Sequence, residues 1–486
     1  MITRIEIDGF KSFSNFVMDF SPMTVVAGAN ASGKSNLFDA LQLLSGLVQV
    51  DDLRNAFSKQ RGDAYELFTQ YDDQHYAKQM TFKVDMLVNR TVRDGWGREA
   101  SLKYTRLHYE LTIVRVTNVH GLEDLLVQHE ELAAIRHDDD KRWIKTIPKA
   151  TRQDWRPPTR GGRRGIGAPY IGIRELVDGS KAFVVSQDGN GGTGKREFPV
   201  TNATRTVLSG ISSAEFPHAL AAREEIRNWK FLQLNPELLR EPTHHTMGMG
   251  GIRDTITRDG NNLAAALFRI KSTDSYALKL ISHRLNNMLP SLTEVEVEDD
   301  QANKQYIIKV RSEGGRVFSS RVLSEGTLRL LALCVFQFDE LHRGLLCFEE
   351  PENGIHPARL HEMTDLLLEL SVDFTEAGTP LRQVIINTHS PGLVKAFMRS
   401  SKSKKRDLTV WFSLLTTRTR EVAGQKIKLN VTKMLPVETT DTQGKLDFPL
   451  PAERKLAINQ LLHYLDFDDT EKNRLELGLH LEEAVA

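Results

Sequence analysis

The run Gly28-Ala-Asn-Ala-Ser-Gly-Lys-Ser35 carries its glycines and its Lys–Ser pair at the spacing G-x-x-x-x-G-K-[ST], the pattern of a loop that cradles phosphate. Gly28 and Gly33 let backbone N–H groups turn inward and approach an anion where a Cβ would stand in the way. Lys34 offers a cation to terminal phosphates and Ser35 a hydroxyl to Mg²⁺. Further on, Leu345-Leu-Cys-Phe-Glu-Glu350 is an apolar run ending in two carboxylates. Phosphoryl-transfer sites use one such group on the metal side and another to orient the attacking water, which gives Glu349 to the metal and Glu350 to the water. Adjacent acids are ordinarily just solvated, but these close an apolar run and lead into Pro351-Glu-Asn-Gly-Ile-His-Pro357. Ser324, in Leu323-Ser-Glu-Gly-Thr327, is placed to cap a helix whose Gly326 leaves room for an anion. A capped helix with no ligand would read the same way. His389 ends another apolar run, Val384-Ile-Ile-Asn-Thr-His-Ser390, within reach of a terminal phosphate or its water, or else as a structural histidine.

These residues need particular elements to hold them. Met23-Thr-Val-Val-Ala27 has the β-branched composition of a buried strand, and Leu37, Ala40, Leu41 and Leu44 recur at helical spacing behind the loop. The phosphate loop therefore joins a strand to a helix, whose N-terminus adds its own partial positive charge. Leu328, Leu331, Ala332, Val335 and Phe336 give the helix after Ser324 one apolar face. Both carboxylates and the histidine sit at strand ends.

Order and spacing of these four motifs resemble the ABC-type ATPases, in the branch that holds RecF, SMC heads and OLD-like proteins. Gly9-Phe-Lys-Ser-Phe13, Asn36 after the lysine–serine pair, and Arg258-Asp-Gly-Asn-Asn-Leu-Ala264 add to the likeness, which covers residues 1–50 and 250–400 well and the rest weakly. The resemblance implies an α/β head: a phosphate-loop parallel sheet core, an antiparallel β layer and a helical lobe. It implies ATP and Mg²⁺ as cofactors. Two heads would sandwich two ATP molecules, each lying on Gly28, Asn30, Gly33, Lys34, Ser35 and Asn36 of one copy and capped by Ser324 and Gly326 of the other. Glu350 would be the catalytic carboxylate, His389 the γ-phosphate switch residue, and Asn353 and His356 part of the segment linking the two sites. Three departures stand out. Position 349 is Glu where Asp is common; the capping segment places the acid Glu325 near the trans phosphate; and the glutamine completing the Mg²⁺ shell is not identifiable, Gln60 and Gln70 being candidates.

Around these motifs the chain divides into an N-terminal ATPase lobe with loop and β layer (1–210), a helical insertion or short arm (211–295), a C-terminal ATPase lobe (296–400), and C-terminal strands and helices (401–486). Prolines and the stretch 247–251 interrupt any heptad pattern in the arm, so no long coiled coil is expected. Lys plus Arg equals Asp plus Glu, 64 each, so any nucleic-acid contact must be local. The loop 152–164, with five arginines and Trp155, offers one candidate DNA contact, and 402–406 a second basic cluster; either also reads as a solvated surface. Asp466 and Asp468 have the letters of a TOPRIM pair but fall in a helical pattern, which argues against a built-in nuclease. Cys334 and Cys347 lie in apolar runs and read as buried thiols. The absence of a signal-like start or a long apolar run points to a cytoplasmic protein without membrane contact.

Three functions follow from this reading. First, implied by the resemblance to compact OLD-like ATPases, is a homodimeric or larger ATPase that switches a separate effector, a nuclease or toxin, in anti-phage defence. Second is a RecF-like repair ATPase that clamps DNA. Third is an assembly scaffold that binds ATP and scarcely hydrolyses it.

Overall fold

The computed structural model describes residues 1–437 except 73–74, 118–120, 122, 137–138, 141–142, 157–167, 177, 188–194, 246–254, 405 and 423–424; beyond residue 437 it describes only Tyr464. The segments carrying Arg160, Arg163, Arg164, Asp466 and Asp468 lie outside these residues.

A six-stranded sheet forms the centre. Its order is Lys230–Leu232, Gly344–Glu349, Arg382–Thr388, Met23–Ala27, Leu408–Val422, Gln425–Val437. The first five run parallel and the last turns back antiparallel. Successive residues of a strand face opposite sides, and here both sides are buried. Val26, Leu345, Cys347 and Ile385 enter one core, while Met23, Val25, Leu346, Phe348, Val384 and Ile386 enter the other. That is why these strands read as continuous apolar runs rather than alternating ones.

The first core is closed by the helix Lys34–Leu47 and by an eight-stranded antiparallel layer. Its strands include Ile2–Asp8, Gln79–Leu87, Arg106–Thr117 and Glu123–Ala134. In Gln79–Leu87 exposure alternates over most of the strand, the signature of one buried face. The second core is closed by the helices Leu263–Thr273, Ser275–Met288, Glu325–Phe338, Leu360–Leu370 and Pro391–Lys404. Each large apolar side chain fully buried there contributes about 1.5–3 kcal/mol.

Among the described residues the longest helices have 14 residues, so none forms a long coiled coil, and none is long and apolar enough to cross a membrane. The strands after residue 400 are part of the central sheet, and Leu408–Val422 pairs directly with the strand that leads into the phosphate loop. Cys334 and Cys347 are buried free thiols, Cys334 pushed up to about 12 by its burial.

Candidate functional site

The candidate site lies where the parallel strands end at their carboxyl side, the usual ligand crevice of such sheets. Met23–Ala27 delivers the chain into the loop, and Gly33 caps the helix that begins at Lys34. Gly33 has φ +93°, and a Cβ there would stand 1.9 Å from Thr432 Oγ1. This glycine is required twice over, by its backbone and by its neighbour. Lys34 is buried, and its Nζ donates to the carbonyls of Gly28 (2.8 Å) and Ala29 (2.7 Å), which curls the ammonium into the loop. Burial lowers its pKa, against the opposing fields of Glu350 and Glu352. Ser35 and Asn30 are exposed. Asn36 donates to Ser12 Oγ at 2.7 Å, and Ser12 Oγ lies 2.6 Å from Thr432 Oγ1. The loop's Ser32 carbonyl accepts from Ser413 Oγ (2.8 Å) and Thr432 Oγ1 (3.3 Å).

Two strands away, Gly344–Glu349 ends at the first carboxylate. Burial pushes the Glu349 carboxyl up, while Arg61, 3.9 Å away, and the exposed Arg258 pull it down. Glu350 follows with φ +44°, its N–H donating to the backbone carbonyl and to the side-chain Oδ1 of Asn387, both at 3.1 Å. Its carboxylate meets Asn353 Nδ2 at 2.9 Å and His389 Nδ1 at 2.9 Å. Burial alone would push this carboxyl up; the hydrogen bonds from Asn353 and His389, with the charge of Lys34, outweigh it and hold Glu350 below the usual range. The structure thus joins Glu350 and His389 directly. Thr388 Oγ1 donates to Glu352, whose other oxygen is buried without a protein partner.

Ser324 caps Glu325–Phe338 as the sequence predicts, accepting from Thr327 N at 3.3 Å, and it is exposed. Gly326 also makes a close contact within its own chain. A Cβ there would meet the Gly354 carbonyl at 2.7 Å, so its smallness seats the helix start against the chain's own Glu350–Gly354 turn. The acid Glu325 is balanced by Arg329 at 2.9 Å. His356 caps a short helical turn through Ala358 N at 3.2 Å.

The described residues of the two basic clusters are partly engaged within the protein. Trp155 packs edge-on against Phe374 with centroids 5.2 Å apart, and the buried Arg156 pairs with Asp140 at 2.8 Å. These two residues are committed to the protein's own packing, and Arg152 donates to the Ile147 carbonyl at 2.9 Å; the loop's other arginines lie outside the described residues. Lys404 pairs with Glu369 and Arg406 with Asp373.

Ser12, Arg61, Asn387, Ser413 and Thr432 belong to the site and escaped sequence reading. Ser12, inside Gly9-Phe-Lys-Ser-Phe13, and Asn387, in the strand Arg382–Thr388 just ahead of His389, lay within recognised motifs without being singled out.

The residues fit a nucleoside triphosphate with Mg²⁺. The loop is lined by left-handed glycines, Lys34 points into it, and Ser32 Oγ is buried there without a partner. Among the described residues no cluster of three or more His, Cys, Asp or Glu side chains forms a cation cage. Mg²⁺ needs none, since it commonly takes one or two protein oxygens with waters and phosphate oxygens.

Comparison with known proteins agrees with this chemistry. Residues 1–137 match the family described as "AAA ATPase domain", and residues 213–395 the family described as "AAA domain, putative AbiEii toxin, Type IV TA system". Between them these stretches hold the phosphate loop, Ser324, both carboxylates and His389. The chain carries AAA-type ATPase domains. Over 56 residues it is 39% identical to the mitotic chromosome and X-chromosome-associated protein mix-1 of Caenorhabditis elegans, a match spanning 11% of this chain and 4% of that protein. Three solved structures are similar. The SmcHead bound to the C-winged helix domain of ScpA has a TM-score of 0.46 and 13% identity, covering 90% of this chain and 98% of that one. The SMC head domain from Thermotoga maritima has 0.34 and 14%, covering 90% and 99%. The Smc head with an extended coiled coil, bound to the C-terminal domain of ScpA derived from Pyrococcus furiosus, has 0.40 and 14%, covering 95% and 99%.

Proposed function

We propose that this chain is an ATPase that dimerises around ATP and uses the cycle of binding and hydrolysis to control a separate effector protein, a nuclease or toxin of a bacterial anti-phage system. The observation that carries the catalytic part is the convergence of Lys34, Glu350 and His389 on the ends of three adjacent parallel strands. Glu350 is held ionised by two donors, which suits it to accept a proton from an attacking water. His389, anchored to that carboxylate through Nδ1, keeps its other ring nitrogen for a phosphate oxygen or the water. Ser35 and Glu349 would hold Mg²⁺, which supplies charge neutralisation to the phosphates when bound.

The dimer part rests on Ser324. It caps a helix N-terminus that faces solvent, and such an end gains stabilisation from an anion. A γ-phosphate held by a second copy would supply one. In this reading the Gly326–Gly354 contact has a purpose: Asn353 touches Glu350, Gly354 touches Gly326, and each site is thereby tied to its own capping segment. The effector and the defence role are supported by the likeness to compact OLD-like ATPases and by the toxin–antitoxin context in one matched family's description.

Phosphate release and ATP binding test the catalytic assignment. Lys34→Ala should lose ATP binding. Glu350→Gln should bind ATP as the wild type does, with hydrolysis lowered about 10²-fold or more. Hydrolysis by Glu350→Gln at the wild-type rate would refute the role given to this carboxylate.

A further inference from the structure

Of the five tryptophans in the chain, Trp143, Trp229 and Trp411 are buried and Trp155 is packed on Phe374, but Trp96 is 89% exposed. It stands at the turn of a two-stranded hairpin, Thr91–Arg93 paired with Glu99–Ser101. The turn is built rather than loose. Asp94, itself only 6% exposed, accepts the backbone N–H groups of Trp96 and Arg98, each at 2.9 Å. Its other oxygen accepts Ala214 N at 3.2 Å, which fastens the hairpin to the segment ahead of the helix Pro217–Arg227. Side chains at Gly95 or Gly97, on either side of the tryptophan, would meet nothing within 4 Å. The fold spends a buried carboxylate on holding an indole out in open solvent.

The surroundings indicate what the indole is for. Between residues 89 and 103, Arg90, Arg93, Arg98 and Lys103 are exposed, against one exposed acid, Glu99, which stands 3.5 Å from Arg93. The remaining acid, Asp94, is buried and already hydrogen-bonded. A tryptophan anchoring a protein interface sits among other apolar side chains that exclude water. Here the hairpin's other apolar residues, Val92 and Leu102, are buried, and no second large hydrophobic is exposed in this stretch. A solitary planar ring flanked by glycines, on a stretch whose exposed charges are mostly cationic, matches what unpaired bases and their phosphates require.

We propose that the hairpin of residues 91–101, with Arg90 at its foot, binds single-stranded nucleic acid, Trp96 stacking on an unpaired base and Arg90, Arg93 and Arg98 meeting the adjoining phosphates. The site is separate from the ATP site. A cleft at the hairpin's base is lined in part by Arg93, Asn228, Arg343 and Gly344, and Gly344 begins the strand that ends at Glu349. The hairpin's base therefore lies at the opposite end of that strand from the carboxylates, the strand itself spanning about 17 Å.

The test is fluorescence anisotropy of the full chain with a labelled oligothymidylate and, separately, the matching oligouridylate, across a salt series. Trp96→Ala should weaken binding about tenfold and Trp96→Phe by less. The double variant Arg93→Glu/Arg98→Glu should bind more weakly still, with the salt slope reduced by roughly 0.7 for each phosphate that the protein no longer neutralises. The strand bound more tightly by the wild type, DNA or RNA, identifies the source. Because these side chains are exposed, melting temperature and ATP binding should not change, which separates weaker strand binding from a damaged fold. The proposal is overturned if the wild type binds neither strand, or if Trp96→Ala binds both as the wild type does. Loss of a co-eluting protein with strand binding intact would likewise overturn it, and would reassign the hairpin to a protein partner.

Discussion

Glu350 is a non-glycine residue in left-handed backbone, φ +44°, a conformation that costs on the order of 1–3 kcal/mol and survives only where its surroundings enforce it. Asn387 provides that enforcement by receiving the Glu350 N–H with two oxygens, and the strained turn aims the carboxylate at His389 and Asn353. A second acid, Glu130, shows a contrasting use of burial. It is fully enclosed, accepting from Tyr109 OH and from the N–H groups of Val207 and Leu208. Burial pushes its carboxyl up to about 7 despite those bonds, from 4.5 in a free side chain. Between these values the folded protein holds a proton that the unfolded chain has released. The stability this contributes is fully present below the lower value and is lost as pH rises through the upper one, an effect on the order of 3 kcal/mol. Glu130→Gln cannot ionise, so its melting temperature should fall less than that of the wild type between about pH 5 and 8. Parallel melting curves across that range would contradict the assignment.

At the scale of elements, the proposed function makes the contact between Gly326 and Gly354 the link between the Glu350 turn and the capping helix. Gly326→Ala pushes a methyl against the Gly354 carbonyl, and overpacking of this kind costs about 1–3 kcal/mol. ATP binding at the phosphate loop should persist in this variant while turnover falls severalfold, because the helix start and the Glu350 turn no longer seat together. Unchanged turnover would show that the two elements act independently. The sequence made these elements legible where the signal is local. Met23–Ala27 is the strand expected, Ser324 caps the helix expected, and the runs ending at Glu349 and Thr388 are adjacent parallel strands. It was silent where partners are distant. Ser413 and Thr432, about 400 positions from Ser32, fasten the phosphate loop through hydroxyls, and nothing in their own neighbourhood distinguishes them from other strand residues. At Gly326 the need for a small residue was legible, but its contact with the Gly354 carbonyl was not, because that depends on how a remote turn packs.

At the scale of the molecule, three layers divide the labour. The antiparallel layer and the helical lobe bury the central sheet from both sides, which leaves the strand ends as the place where polar side chains can converge. On that surface one chain supplies the loop, the carboxylates and the histidine, and presents Ser324 outward. In the proposed function, a complete enclosure of ATP calls for a second copy. The most direct measurement of this claim is the mass of Glu350→Gln in solution, by size-exclusion chromatography with light scattering, with ATP, with ADP and without nucleotide. The account predicts an additional dimerisation with ATP alone, abolished by adding Ser324→Arg, a change that leaves ATP binding to the single chain intact. One unchanged mass under all three conditions, with ATP shown to be bound, would contradict it.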